Sequence, residues 1–203
     1  MSANCQHALF TEQENYYEED HLLTKREFFR GEVFAMAGAA PKHLDIAGNI
    51  VVSLRAQLRG RPCRARQGTT VPRSSGDDRA ALVRGRPCRA RASDQRIRVE
   101  ANTLITYPDV VVVCPPFEFN PQNKITLLDS TVIVEVLSDS TRAYDVDEKF
   151  DLLRELPSLR HYLLVEPNEI RVEHRFRGKM ANGKPKFGRN AKMNSNCALS
   201  TVA

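Results

Sequence analysis

The sequence has no tryptophan, and aromatic residues fill only 7% of its 203 positions. It also lacks a long hydrophobic run. The most apolar stretches, Val110 to Cys114 and Val132 to Val134, are strand-sized and far too short to span a bilayer. The first thirty residues are polar and acidic, unlike a secretory leader. These absences predict a cytoplasmic protein with no membrane partner. The five cysteines, at positions 5, 63, 88, 114 and 197, form no CxxC pair and no His/Cys cluster at zinc spacing. Their odd number argues against a disulfide framework, so reduced thiols are expected. GxxxxGK[ST], a GxGxxG after a strand, HExxH and GxSxG are all missing, which removes the usual markers of P-loop, dinucleotide, zincin and serine-hydrolase chemistry. Chemistry based on carboxylates and lysine remains.

Positive charge is abundant but unevenly placed. The chain carries +5 overall, yet the segment from Arg59 to Arg91 holds ten arginines against Asp77 and Asp78, a local +8 that leaves −3 for the rest. The same segment contains a repeat: RGRPCRAR at 59–66 returns unchanged at 84–91. One repetition is too few for a solenoid. The intervening QGTTVPRSSGDDRAALV is rich in small, turn-forming and charged residues, so a tandem duplication that lengthened a surface loop over about 59–91 is expected. Loop closure cost grows slowly with length, so the fold tolerates it.

The remaining sequence alternates strand and helix patterns. Thr11 to Asp20 can form a short helix within a polar extension over 1–24. KREFFRGEVFAMA, residues 25–37, reads as a hairpin turning at Arg30-Gly31. Pro41 suits the first turn of a helix whose apolar residues Leu44, Ala47, Ile50, Val51, Leu54 and Leu58 recur at helical spacing up to Gly60. Strands are expected at Gln95 to Glu100, Thr106 to Cys114, Thr131 to Leu137 and His161 to Glu166, with a helix from Asp145 to Leu156. Strands alternating with helices indicate an α/β domain whose sheet is covered on its faces. It is placed at 25–177, before a polar tail at 178–203 expected to fray.

Two residues stand out chemically. Asp109 and Glu135 are lone carboxylates in strongly apolar β-runs, where an unpaired charge costs several kcal/mol (about 3–5). Arginine partners or solvent at a strand end would satisfy either one alone, but two in succession favour a shared site, and a divalent metal with hard oxygen ligands would compensate them. On a helical wheel of 145–156, Lys149 falls inside the apolar arc of Val146, Phe150, Leu152, Leu153 and Leu156. It either snorkels to solvent or meets the buried acids, where it could position an attacking water. Glu32, just after the hairpin turn, is a further candidate acid. His43, at the edge of the apolar face of the long helix, is an accessory candidate.

GEVFAMAGAAPKHLDIAGNI, SDQRIRVEANTLITYPDVVVV and VIVEVLSDSTRAYDVDEKFDLLRELPSLRHYLLVE together resemble the Uma-two group of restriction endonucleases, in the PD-(D/E)XK superfamily. The resemblance runs from about 25 to 173, apart from the loop. It implies a restriction-endonuclease-like mixed sheet flanked by helices and an endonuclease that hydrolyses DNA. Asp109 of Tyr-Pro-Asp-Val and Glu135 of Val-Glu-Val-Leu would bind Mg2+ or Mn2+, and Glu32 would be an additional acid. The motif's usual lysine position is Leu137 here, and Lys149 is the residue matching a lysine drawn from the following helix. A homodimer is left open. The loop and the tail, which does not resemble the group's closing strands, raise the alternative of a nuclease-fold module that binds DNA or a partner without cutting, or of a degenerate copy.

Overall fold

The computed structural model describes residues 9–22, 24–36, 38–60, 87–181 and 184–190. Helix α1 (Glu12–Leu22) precedes a hairpin of β1 (Arg26–Phe29) and β2 (Glu32–Ala35), followed by the long helix α2 (Pro41–Leu58). After 61–86, which hold most of the first repeat copy and lie outside the described residues, come β3 (Arg89–Ala92), β4 (Ile97–Val99), β5 (Leu104–Thr106), β6 (Val110–Val113) and β7 (Val132–Val136). Two short helices, α3 (Arg142–Val146) and α4 (Glu148–Leu153), lead to β8 (His161–Val165), β9 (Val172–Ala181) and β10 (Lys184–Asn190).

The strands form two sheets, ordered β2-β1-β5-β4 and β10-β9-β8-β7-β6-β3. The larger one is mixed. Its parallel pair is β7 with β8, joined by the crossover that contains α3 and α4, while its other neighbours are antiparallel. Residues alternate between its faces. Val110, Val112, Val132, Val134 and Val136 pack with Ala47, Val51, Leu54 and Leu58 of α2. Val111, Val113, Ile133, Tyr162 and Leu164 face the other way, onto Phe150 and Leu153 of α4 and Ile97, Val99 and Leu104 of the smaller sheet. Both faces are covered, which is why β6, and β7 apart from Glu135, read as near-continuous apolar runs. The outer side of the smaller sheet packs Phe28 and Ile105 against Tyr16 of α1.

The hairpin turns where the sequence places it. Arg30 and Gly31 both have positive φ, 52° and 87°, as a two-residue turn matched to strand twist requires. Other expectations are corrected. The reading of 59–91 as a loop fails at its end, because Arg89, Ala90 and Arg91 of the second copy lie in β3 and pair with β6. The tail does not fray from 178 onward: β9 continues to Ala181, β10 pairs with it, and Phe187 packs edge-on against Phe150 at 5.2 Å. Residues 191–203 lie outside the described residues. Leu44 is 54% exposed, because the burial stripe of α2 begins at Ala47. The helix expected at 145–156 is two helices meeting at Asp147, whose φ of −112° and ψ of −80° break the helical path.

The expectation of reduced thiols is also overturned, since Cys88 and Cys114 form a disulfide. The register Arg89↔Val113 places them directly across the β3 and β6 strands, with Cα atoms 4.2 Å apart. Such cross-strand proximity cannot be read from cysteine spacing. Cys5, Cys63 and Cys197 lie outside the described residues.

Candidate metal-dependent active site

Register brings the two carboxylates together. Val110 pairs with Val134, so Asp109, one step before β6, stands opposite Glu135. The Asp109 N–H points at Glu135 Oε2 at 3.3 Å, and the Val136 N–H donates to Asp109 Oδ2 at 2.8 Å. Glu135 lies on the sheet face that meets α4, with only 3% of its surface exposed. Lys149 is similarly buried at 4%, and its Nζ lies 2.9 Å from Glu135 Oε1.

Two acids that the sequence did not single out complete this cluster. Glu27 Oε1 of β1 lies 3.4 Å from Lys149 Nζ, and Asp145 Oδ1 of α3 lies 3.5 Å from it. Thr106 donates its hydroxyl to Glu27. His43, in the first turn of α2, brings Nε2 to 2.8 Å from Asp109 Oδ1. The structure thus gathers Asp109, Glu135, Lys149 and His43, and leaves Glu32 outside. Glu32 sits opposite Phe29 on strand β2, one strand beyond Glu27, and is exposed. Local pattern gave no signal for Glu27, which sits between half-buried Arg26 and buried Phe28 and owes its burial to partners far along the chain. The turn at Arg30-Gly31 drew attention to the wrong glutamate.

The electrostatics follow from the packing. Burial pushes the Glu135 carboxyl up to about 8, with Lys149 opposing the shift and Asp109 and Asp145 reinforcing it. Burial also raises Asp145, again against the pull of Lys149. For Lys149, burial disfavours the ammonium, but Glu135, Glu27 and Asp145 outweigh it and hold the group well above the usual lysine range. Three carboxylates thus surround one lysine and a fourth faces one histidine, so acids outnumber cations here, and burial keeps the Glu135 carboxyl largely protonated at neutral pH.

That donor set fits a hard divalent cation. Glu135 Oε1 is buried against the Lys149 ammonium at 2.9 Å, and a carboxylate oxygen in such a pair keeps a further lone pair that a cation could take. Among the described residues no three His, Cys, Asp or Glu side chains form a ready-made cage. Magnesium needs only one or two carboxylates and takes its other ligands from water and phosphate.

The sequence also matches a family model, described as "Putative restriction endonuclease" and named Uma2, over residues 77–186, more than half of the chain. The chain belongs to the Uma2 family. An uncharacterized protein of Synechocystis sp. is 32% identical over 155 residues, covering 76% of this chain and 67% of the relative. Another from the same organism is 27% identical over 166 residues, covering 82% and 80%. In three dimensions the chain resembles a crystal structure described as a putative nuclease from Anabaena variabilis, with a TM-score of 0.51 at 14% identity, covering 81% of this chain and 76% of that one. This likeness establishes a restriction-endonuclease-like nuclease fold. The Uma2 match begins at residue 77, so Glu27 and His43 enter the site from outside the matched region.

Proposed function

We propose that this Uma2 protein is a magnesium- or manganese-dependent endonuclease that hydrolyses phosphodiester bonds in DNA, with Asp109 and Glu135 as the metal-holding acids. The observation that carries the reading is the surplus of buried carboxylates around one lysine. A structural ion pair would be nearer balance, because unpaired buried charge is strongly destabilising.

Bound there, the cation would polarise a phosphate oxygen and make a coordinated water more acidic. The protein's own groups do the rest. Asp109 is fixed by the Val136 N–H, so one carboxylate oxygen is oriented by backbone and the other faces His43. Glu27 and Asp145 position Lys149, which keeps its charge and supplies a fixed cation for negative charge developing on phosphate oxygens. His43 lies within reach to exchange a proton with a group bound at Asp109.

The test is cleavage of supercoiled plasmid with MgCl2 or MnCl2, run beside Asp109→Ala and Glu135→Ala. Nicking or linearisation by the parent protein, abolished in both variants and by chelation, is the expected result. Cleavage unaffected by both substitutions overturns the assignment. Salt-dependent DNA binding without cleavage would instead favour the nuclease-fold binding module.

A further inference from the structure

A second charged feature lies away from the acidic site. Arg55 and Arg59 at the C-terminal end of α2 and Arg89 and Arg91 of β3 line a cleft of about 470 Å³, together with Leu58 and Ala90. Among the described residues no carboxylate lines it. The guanidinium of Arg91 is held below its ordinary pKa by burial and by neighbouring Arg89 and Arg55, so these positive charges press on one another.

Four like charges are not held together without something holding the frame. Here the frame is explicit. Arg55 Nε donates to the Ala90 carbonyl at 3.0 Å, which ties α2 to the edge strand. Arg91 donates to Gln95 at 2.8 Å and lies over the Phe119 ring. Arg89 lies over Phe117, and the Cys88–Cys114 bond pins the start of β3 to β6. Arg59, the C-cap residue of α2, is exposed. Anchored, mutually repelling guanidinium groups at Arg55, Arg89 and Arg91, with Arg59 exposed beside them and no acid lining the cleft among the described residues, suit a polyanion whose charges are regularly spaced.

We infer that this arginine cleft binds the phosphate backbone of duplex DNA at a distance from the cleavage centre, an inference that rests on the nuclease reading and assigns it a substrate-holding surface. His43 and Arg59 stand about 24 Å apart along the α2 axis at 1.5 Å per residue. That spans roughly seven steps of a duplex that rises about 3.4 Å per base pair. Phosphate contacts of this kind set register and orientation and carry no sequence information. The cleft therefore predicts a minimum substrate length and no base preference.

The test uses the full chain with Arg59→Gln and Arg89→Gln, singly and together. Arg55 and Arg91 are left intact because they hold the β3 frame. Binding of fluorescein-labelled duplexes of 6 and 24 base pairs is followed by anisotropy from 50 to 200 mM salt in EDTA, with melting checked for each variant. In the parent, affinity should rise steeply once the duplex exceeds about seven base pairs. The double variant should lose that length dependence, bind the longer duplex at least about tenfold more weakly and show a salt slope shallower by about 1.8. Unchanged affinity and slope in a cooperatively melting double variant overturn the cleft while leaving the nuclease reading intact. If the parent cuts nothing with any divalent cation but its arginine-dependent slope persists, the nuclease reading fails and the cleft is supported.

Discussion

Replacing Lys149 with methionine probes the charge balance of the site directly. The side chain is 5% exposed and its Nζ contacts three carboxylates within 3.5 Å, so Lys149→Met keeps most of the packed volume and removes the only buried ammonium of the cluster. Breaking a buried charge network by deleting one partner costs about 3–5 kcal/mol. For a chain of this size each kcal/mol moves Tm by about 2–4 °C, so the variant should melt roughly 6–20 °C lower at pH 8.5. The deficit must depend on pH. Glu135 and Asp145 already have folded pKa values above their ordinary values of 4.5 and 3.8, and losing Lys149 raises them further. The folded state then binds more protons than the unfolded chain above those ordinary values, so the deficit grows as pH rises and shrinks toward pH 4.5. Melting followed by circular dichroism at about pH 5, 7 and 8.5, with and without about 10 mM MgCl2, measures both effects. A bound cation substitutes for the lost charge and should recover part of the Tm. Equal melting of variant and parent at every pH would refute the buried-network reasoning.

Glu27→Ala should reduce plasmid cleavage severely, whereas Glu32→Ala should leave cleavage unchanged and stability within about 0.5 kcal/mol, because Glu32 is exposed on β2. Equal effects of the two substitutions would contradict the placement of Glu27 beside Lys149. Reduction of Cys88–Cys114, which closes a loop with a sequence separation of 26, should cost about 3.5 kcal/mol and lower Tm by roughly 7–14 °C. Melting with and without dithiothreitol, beside the Cys88→Ser and Cys114→Ser pair, measures it, and an unchanged Tm would show the bond to be energetically silent. His161 is held down to about 4 by burial, with neighbouring His174 and Arg160 adding to the effect. The unfolded chain therefore binds more protons between pH 6.5 and about 4, and stability should fall as pH drops through that window. Urea unfolding across pH 4–7 should show a shallower acid limb in His161→Gln than in the parent.

Much of this was legible in the sequence where one residue type contradicted its surroundings. Asp109 leads into a valine run, Glu135 interrupts one, and Lys149 interrupts an apolar helical arc; each anomaly marks a side chain that the structure gathers into one cluster. Lys149 lands there even though the helix that revealed it is broken at Asp147, because a one-residue break leaves the inward face of the next turn nearly unchanged. Glu27 was harder to see. Its burial depends on packing against Thr106 and Lys149, which are 79 and 122 positions away along the chain, and local pattern carries no such information. The repeat misled in a similar way: arginines between small residues have the composition of a loop, and only pairing with β6 turns Arg89–Ala92 into an edge strand. The disulfide depended on the same unreadable pairing. His43 showed only a position on a helix face, and its contact with Asp109 is set by how α2 lies across the sheet.

The order of the cluster along the chain has a consequence for synthesis. Glu27 and His43 emerge early, then Asp109 and Glu135, and Lys149 last among them, while the β7 and β8 strands that bracket its crossover cannot pair until His161–Val165 has been made. Chains emerge N-terminus first, so a nascent polypeptide carries the acids well before it can carry their assembled arrangement. Any chemistry at this centre is thereby withheld until the domain is nearly complete, and a fragment released early would expose carboxylates with no cation to organise them.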